Sequence, residues 1–171
     1  MEPRRRYDFL REPQGDVYLG LLETAIAHCS LVLLVSRQPD SLSPSANELL
    51  DRLSPYLVSQ EFASTWPGTR LLPILEPPGS ALVWSYSYSG PVAGILESVT
   101  TGLYQWLEPQ LPEDLALLRG RGNVWLGSIA HESDAWLEVT ESELADLIRG
   151  LPQLVDHLHS GRTAGSEVSD P

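Results

Sequence analysis

Residues 115–139 read LALLRGRGNVWLGSIAHESDAWLEV, three short apolar runs separated by two turns, and this stretch decides the fold class. The runs at 115–118 and 124–131 are joined through Gly120-Arg121-Gly122-Asn123, a hairpin turn signal. A third run, 135–139, follows the short turn Ser133-Asp134. Strands connected by so few residues pair antiparallel, because a parallel neighbour needs a crossover of a dozen residues or more.

Working outward, a second hairpin is expected from residues 70–76 and 81–89, joined through Pro77-Pro78-Gly79-Ser80. Pro73 has no N–H to give to a ladder, which places the first of these strands at an edge or beside a bulge. Leu31-Val32-Leu33-Leu34-Val35 is apolar without interruption, as suits a central strand covered on both faces.

Four helices complete the pattern. One is expected over residues 17–28 with Asp16 as its cap, and a second opens at Ser43-Pro44 and stops near Pro55. Gly90-Pro91 starts a third, whose stripe Val92, Ile95, Leu96, Val99, Leu103, Trp106 and Leu107 continues to Pro109. Thr140 and Glu143 form a capping box for the last, with a kink at Gly150 and Pro152. The expectation is a single-domain α+β fold: a mixed, mainly antiparallel sheet built from hairpins, with about four helices mostly on one face. The globular body spans 15–158, between an irregular N-terminal arm, 1–14, anchored by Tyr7, Phe9 and Leu10, and a disordered tail, 159–171.

Composition narrows function more by exclusion than by assertion. Formal charge is −12, and all 11 basic side chains are Arg. Without Lys there is no Schiff-base chemistry and no phosphate-loop lysine. Nucleic acid is excluded as a partner because phosphate neutralisation needs clustered cations, and the one basic cluster is Arg4-Arg5-Arg6. No apolar run reaches the ~20 residues of a membrane span, and a secretory signal is missing from the N-terminus. Cys29 is the single cysteine, so an internal disulfide and a thiolate zinc site are both excluded. Together these point to a cytoplasmic protein.

The chemistry-bearing residues are few. His131 stands at a strand end beside Glu132 and Asp134, where a flanking carboxylate can tune an imidazole as a general base. Against that, His131 can equally donate a hydrogen bond that fixes the hairpin. His28-Cys29 reads as packing. No metal-ligand spacing, nucleophile elbow or glycine-rich phosphate loop is present, and no cofactor is expected. Leu111-Pro112-Glu113-Asp114 reads as a turn in which Asp114 caps backbone donors.

Between Arg121 and Arg149 the chain carries Glu132, Asp134, Glu138, Glu141, Glu143 and Asp146 with no cationic side chain among them. Trp125 and Trp136 lie in the same stretch. A second aromatic group, Trp84, Tyr86 and Tyr88, shares one face of its strand, as either a ligand platform or a core face. A one-signed field beside aromatic anchors suits a basic protein partner. In acidity and expected architecture the chain is similar, at the level of class, to the small immunity proteins that bacteria hold against basic toxins. The leading expectation is therefore a protein-binding module of immunity type, with Trp125, Glu132, Asp134, Trp136, Glu138, Trp84, Tyr86 and Tyr88 as its binding residues. The alternatives are a small enzyme using His131 with Glu132 and Asp134, and a homo-oligomeric structural protein. The sequence leaves the oligomeric state open.

Overall fold

A computed structural model of the chain describes residues 1–72 and 80–159. Its centre is β2 (Leu31–Ser36), the apolar run itself, paired antiparallel on one side with β6 (Ala81–Ser87) and on the other with β7 (Glu113–Leu118). From β7 the chain continues through β8 (Val124–Ile129) and β9 (Asp134–Val139), each antiparallel to the last. The outer strands are β1 (Arg5–Asp8) beside β9 and β3 (Leu57–Ala63) beside β6. The order is β1-β9-β8-β7-β2-β6-β3, and every pairing is antiparallel.

One face of this sheet is buried by α1 (Asp16–Ala25), α2 (Pro44–Leu53) and α3 (Gly90–Glu97), with α4 (Glu141–Gly150) following β9. Val32, Leu34, Trp84, Tyr86, Leu117 and Leu137 meet Leu21, Leu22, Leu49, Leu53, Val92 and Leu96 in one apolar core. The other face is covered by a two-stranded hairpin, β4 (Thr65–Trp66) and β5 (Thr69–Arg70). It packs Trp66 with Leu33, Val35, Val83 and Ala116 in a smaller cluster. A strand apolar on both sides requires cover on both, and helices and hairpin supply it.

The α+β class and the antiparallel sheet agree with the sequence reading, and several boundaries do not. The arm expected to be irregular contributes β1. Tyr7 sits opposite Leu137 and is buried, as is Phe9, whereas Leu10 is exposed. The third helix stops at Glu97 rather than running to residue 107. Val99-Thr100-Thr101-Gly102 follows, β-branched and glycine residues that lose most in a helix, and the apolar stripe resumes in a 3₁₀ turn at Leu103–Gln105. The outer neighbour of β6 is β3, not the strand expected at 70–76, and residues 73–79 of that expectation, Pro73 included, lie outside the described part. So does the tail beyond His159. At the last helix Thr140 Oγ1 accepts from Glu143 N at 3.1 Å and Glu143 Oε2 from Thr140 N at 2.9 Å, the expected box.

Packing on the hairpin side hinges on one close approach. A side chain at Gly127 would place its Cβ 2.3 Å from the Trp136 ring, which lies across the Gly127 backbone. At Gly94, in α3, the same atom would meet nothing within 4 Å. Gly127→Ala is therefore expected to destabilise the protein by about 1–3 kcal/mol through forced repacking. Gly94→Ala should stabilise it by roughly 0.5–1 kcal/mol by restricting the unfolded chain. Urea titration of the two variants beside the wild type checks both signs.

Candidate functional site

The five aromatic residues expected to greet a partner are all inside. Trp84, Tyr86 and Tyr88 belong to the helix-side core, where Tyr88 donates its hydroxyl to Leu22 O at 2.7 Å. A register shift between β7 and β8 accompanies the burial of Trp125 on that side, stacked 5.8 Å from the His28 ring. Trp136 is covered by Arg6, 4.1 Å above its ring, and donates its indole N–H to Glu138 Oε1 at 3.0 Å. The reason is general: rings this large contribute most where water is excluded, and nothing in strand alternation distinguishes a platform from a core.

The acidic stretch is also less bare than its sequence. Asp134 lies 3.5 Å from Arg6, Glu141 2.5 Å from Arg5 and Asp146 2.7 Å from Arg149. Arg119, itself buried, grips Glu143 with two nitrogens at 2.8 and 3.0 Å, the fork geometry that suits a carboxylate. Partial burial raises the Glu143 carboxyl, yet the Thr140 N–H and Arg119 outweigh it and hold the group below the ordinary carboxylate range. The arginines that pair Asp134, Glu141 and Glu143 come from β1 and from the end of β7, separations that no local window reveals, whereas Arg149 meets Asp146 three residues away on α4. Nearby Cys29 is buried and its thiol is pushed up to about 12 by desolvation, against the pull of Arg119, which disfavours the thiolate that nucleophilic chemistry needs.

What remains is a recess at the opposite end of the sheet, where β2 ends, β7 begins and β8 gives way to the turn carrying His131. A cavity of about 430 Å³ there is lined by Arg37, Gln38, Ser41, Glu108, Pro109, Glu113 and His131. Glu108 accepts from the Ser36 hydroxyl and from the backbone N–H of Arg37 at 3.1 Å, fixing the chain as it leaves β2. Arg37 then reaches Glu113 Oε1 at 2.6 Å and approaches Asp114 Oδ2 at 3.7 Å, with its guanidinium 5.2 Å over the Trp66 ring. Asp114 is fully buried and takes a left-handed φ of 56°. Its carboxylate accepts from the Trp66 indole at 2.9 Å and from Ala130 N at 3.1 Å, so it does cap backbone, but across the sheet rather than within its own turn.

His131 leans into this group from the rim, 41% exposed, with Nδ1 3.9 Å from Glu113 Oε2 and Nε2 3.7 Å from the exposed Glu132. Of the expected trio, His131 and Glu132 come together. Asp134 is directed to Arg6 instead, and the carboxylate behind the imidazole is Glu113. Glu113, Asp114 and His131 bring three potential ligand atoms within 4.8 Å of one another, the set that could hold a cation, although Arg37 already occupies one side of it. Burial raises the Glu113 carboxyl, the Asp114 charge raises it further, Arg37 opposes and Glu108 adds to the rise. Sequence reading missed Arg37 and Glu108 and took Glu113 only as part of a turn, because the three converge from separate segments and none forms a motif.

A carboxyl whose folded value is raised contributes stability below the ordinary carboxylate range, and that contribution is lost as pH rises through the folded value. Glu113→Gln keeps an acceptor for Arg37 and removes this loss. The stability of the variant relative to wild type should therefore increase from about pH 4 to about pH 7. Urea unfolding at four pH values checks it, and a flat difference would show that Arg37 neutralises Glu113 completely. No protein-family model, curated protein or solved structure matches the chain.

Proposed function

We propose that the protein is a non-enzymatic binding module that receives a basic protein partner at the acidic end of its sheet, as a small immunity-type protein receives a toxin. The supporting observation is the charge balance at that end. Asp8, Glu108, Glu113, Asp114, Glu132 and Asp134 all lie where β1 and β2 end, β7 and β9 begin and β8 turns, and among the described residues Arg6 and Arg37 are the arginines that answer them. Burial is the main cause of the raised Glu113 carboxyl, and the Asp114 and Glu108 charges add to it while Arg37 opposes. An arriving Arg or Lys side chain in the recess would find Glu132 and His131 at the rim and Glu113 behind them. The surrounding field would speed the encounter.

This reading differs from the sequence expectation in its anchors. The indole and phenol rings are buried, so the partner supplies the inserted group and this protein supplies the pocket. Affinity capture from the native host's extract, at low and at high salt, tests the idea with paired variants. Glu113→Gln/Glu132→Gln should lose the low-salt partner at least tenfold, whereas Glu141→Gln/Asp146→Asn, at the far end, should retain it. Equal losses from both would reduce the attraction to net charge alone and remove the site.

One observation favours a second reading. His131 is reachable from solvent on a concave wall with a buried carboxylate behind it, the arrangement of a general base and its orienting group. An enzyme built this way would use His131 and Glu113. The two readings part at His131→Ala, which should abolish turnover of an acid–base substrate but weaken partner binding only a few-fold.

A further inference from the structure

The strand at the far edge of the sheet is built unlike the strand at the near edge. β1 is four residues long, carries Arg5, Arg6 and Asp8, and ties those charges to Glu141, Asp134 and one another. Short, charged and locally bonded, it discourages a further strand. β3 is seven residues long, LVSQEFA, with Glu61 as its one charge. Among the described residues no strand lies beyond it. Leu57, Val58 and Phe62 are 43, 59 and 70% exposed, three of the nine large apolar side chains left open on the described surface. An open, apolar, weakly charged edge is a template for another strand.

The register of β3 on β6 tells which face its side chains take. Gln60 lies opposite Trp84 and Phe62 opposite Leu82, so both look to the helix side, and the shift between Leu57 and Ser59 marks a bulge at Val58. We propose that β3 pairs with β3 of a second copy of this chain, antiparallel about a two-fold axis at Gln60, joining two seven-stranded sheets into one. In that register Phe62 faces Val58 of the partner copy and Glu61 faces Ser59, while the bulge turns Leu57 to the opposite face from Ala63. The two most exposed apolar residues of the strand, Phe62 and Val58, gain each other as neighbours, and the carboxylate meets a hydroxyl. Moving the axis to Glu61 would set two carboxylates against each other, so charge selects the register. The contact is isologous and closes on itself, which leaves the acidic recess at the sheet end outside the pairing.

Two chains of charge −12 repel, so salt should strengthen this association, opposite to its effect on a basic partner. Sedimentation velocity of the full chain at low and high salt gives the first readout, with a dimer expected that tightens as salt rises. Phe62→Lys and Val58→Lys, both at exposed positions, should each raise the dimer dissociation constant at least tenfold while leaving the melting temperature of the monomer unchanged. Gln60→Cys should yield a disulfide-linked dimer on mild oxidation, with Cys29 buried and silent. A wild type that stays monomeric at every concentration and salt overturns the proposal, and so does a dimer indifferent to both lysine variants. An edge filled by a different protein, or by another segment of the same chain, would give the first of those results.

Discussion

Everything in this molecule leans on the double burial of β2. Val32 and Leu34 point into the helix layer, Leu33 and Val35 into the hairpin layer, and the strand has no side that tolerates water. The helices would suffice for one face. The other face forces the chain to spend a hairpin as a lid, and the residue that seals it is Trp66. Once that indole is held down, its N–H fixes the Asp114 carboxylate and its ring carries Arg37, so the recess at the end of the sheet is a by-product of core closure. Of the lining residues Glu113 lies in a strand, whereas Arg37, Glu108 and His131 sit in connections at the strand ends, two of which Glu108 ties together.

Arginine as the only strong cation shapes the electrostatics. Each well-placed guanidinium serves two purposes at once: Arg6 pairs with Asp8 and covers Trp136, Arg37 pairs with Glu113 and covers Trp66, and Arg119 forks onto Glu143 while donating to Glu138 O. A planar, weakly hydrated head can lie on an indole and still hold a carboxylate, which an ammonium does poorly. With so few cations so heavily engaged, a surplus of negative charge is left, and part of it lies at the end of the sheet that holds the recess. The pairs at the surface, such as Arg149 with Asp146, add little to stability and serve mainly to soften that surplus.

The sequence showed the sheet class, the central strand, the last hairpin and the capping box, because each is written in adjacent residues. It misread what depends on distant ones. Residues 57–63 lack strict alternation since an edge strand exposed on both faces is under no patterning constraint, and β3 went unread. The stripe 92–107 kept helical spacing through a break because Leu103 and Trp106 still face the same core from a tighter turn. For the site, His131 and Glu132 were legible as neighbours, but the orienting carboxylate and the guanidinium arrive from separations of 18 and 94 positions. The aromatic residues of β6 and β9 were ambiguous for a physical reason: alternation reports that one face is apolar and is silent on what lies over it.

The Trp136 ring pressed on the bare backbone of Gly127 has an evolutionary corollary. Neither position can drift alone, since a methyl group at 127 collides with the indole and a smaller residue at 136 opens a void beneath the hairpin. Among descendants of this chain the two sites should therefore change in concert, large with absent or small with small. Such a linked pair across neighbouring strands would mark true relatives even after the surrounding surface has diverged past recognition.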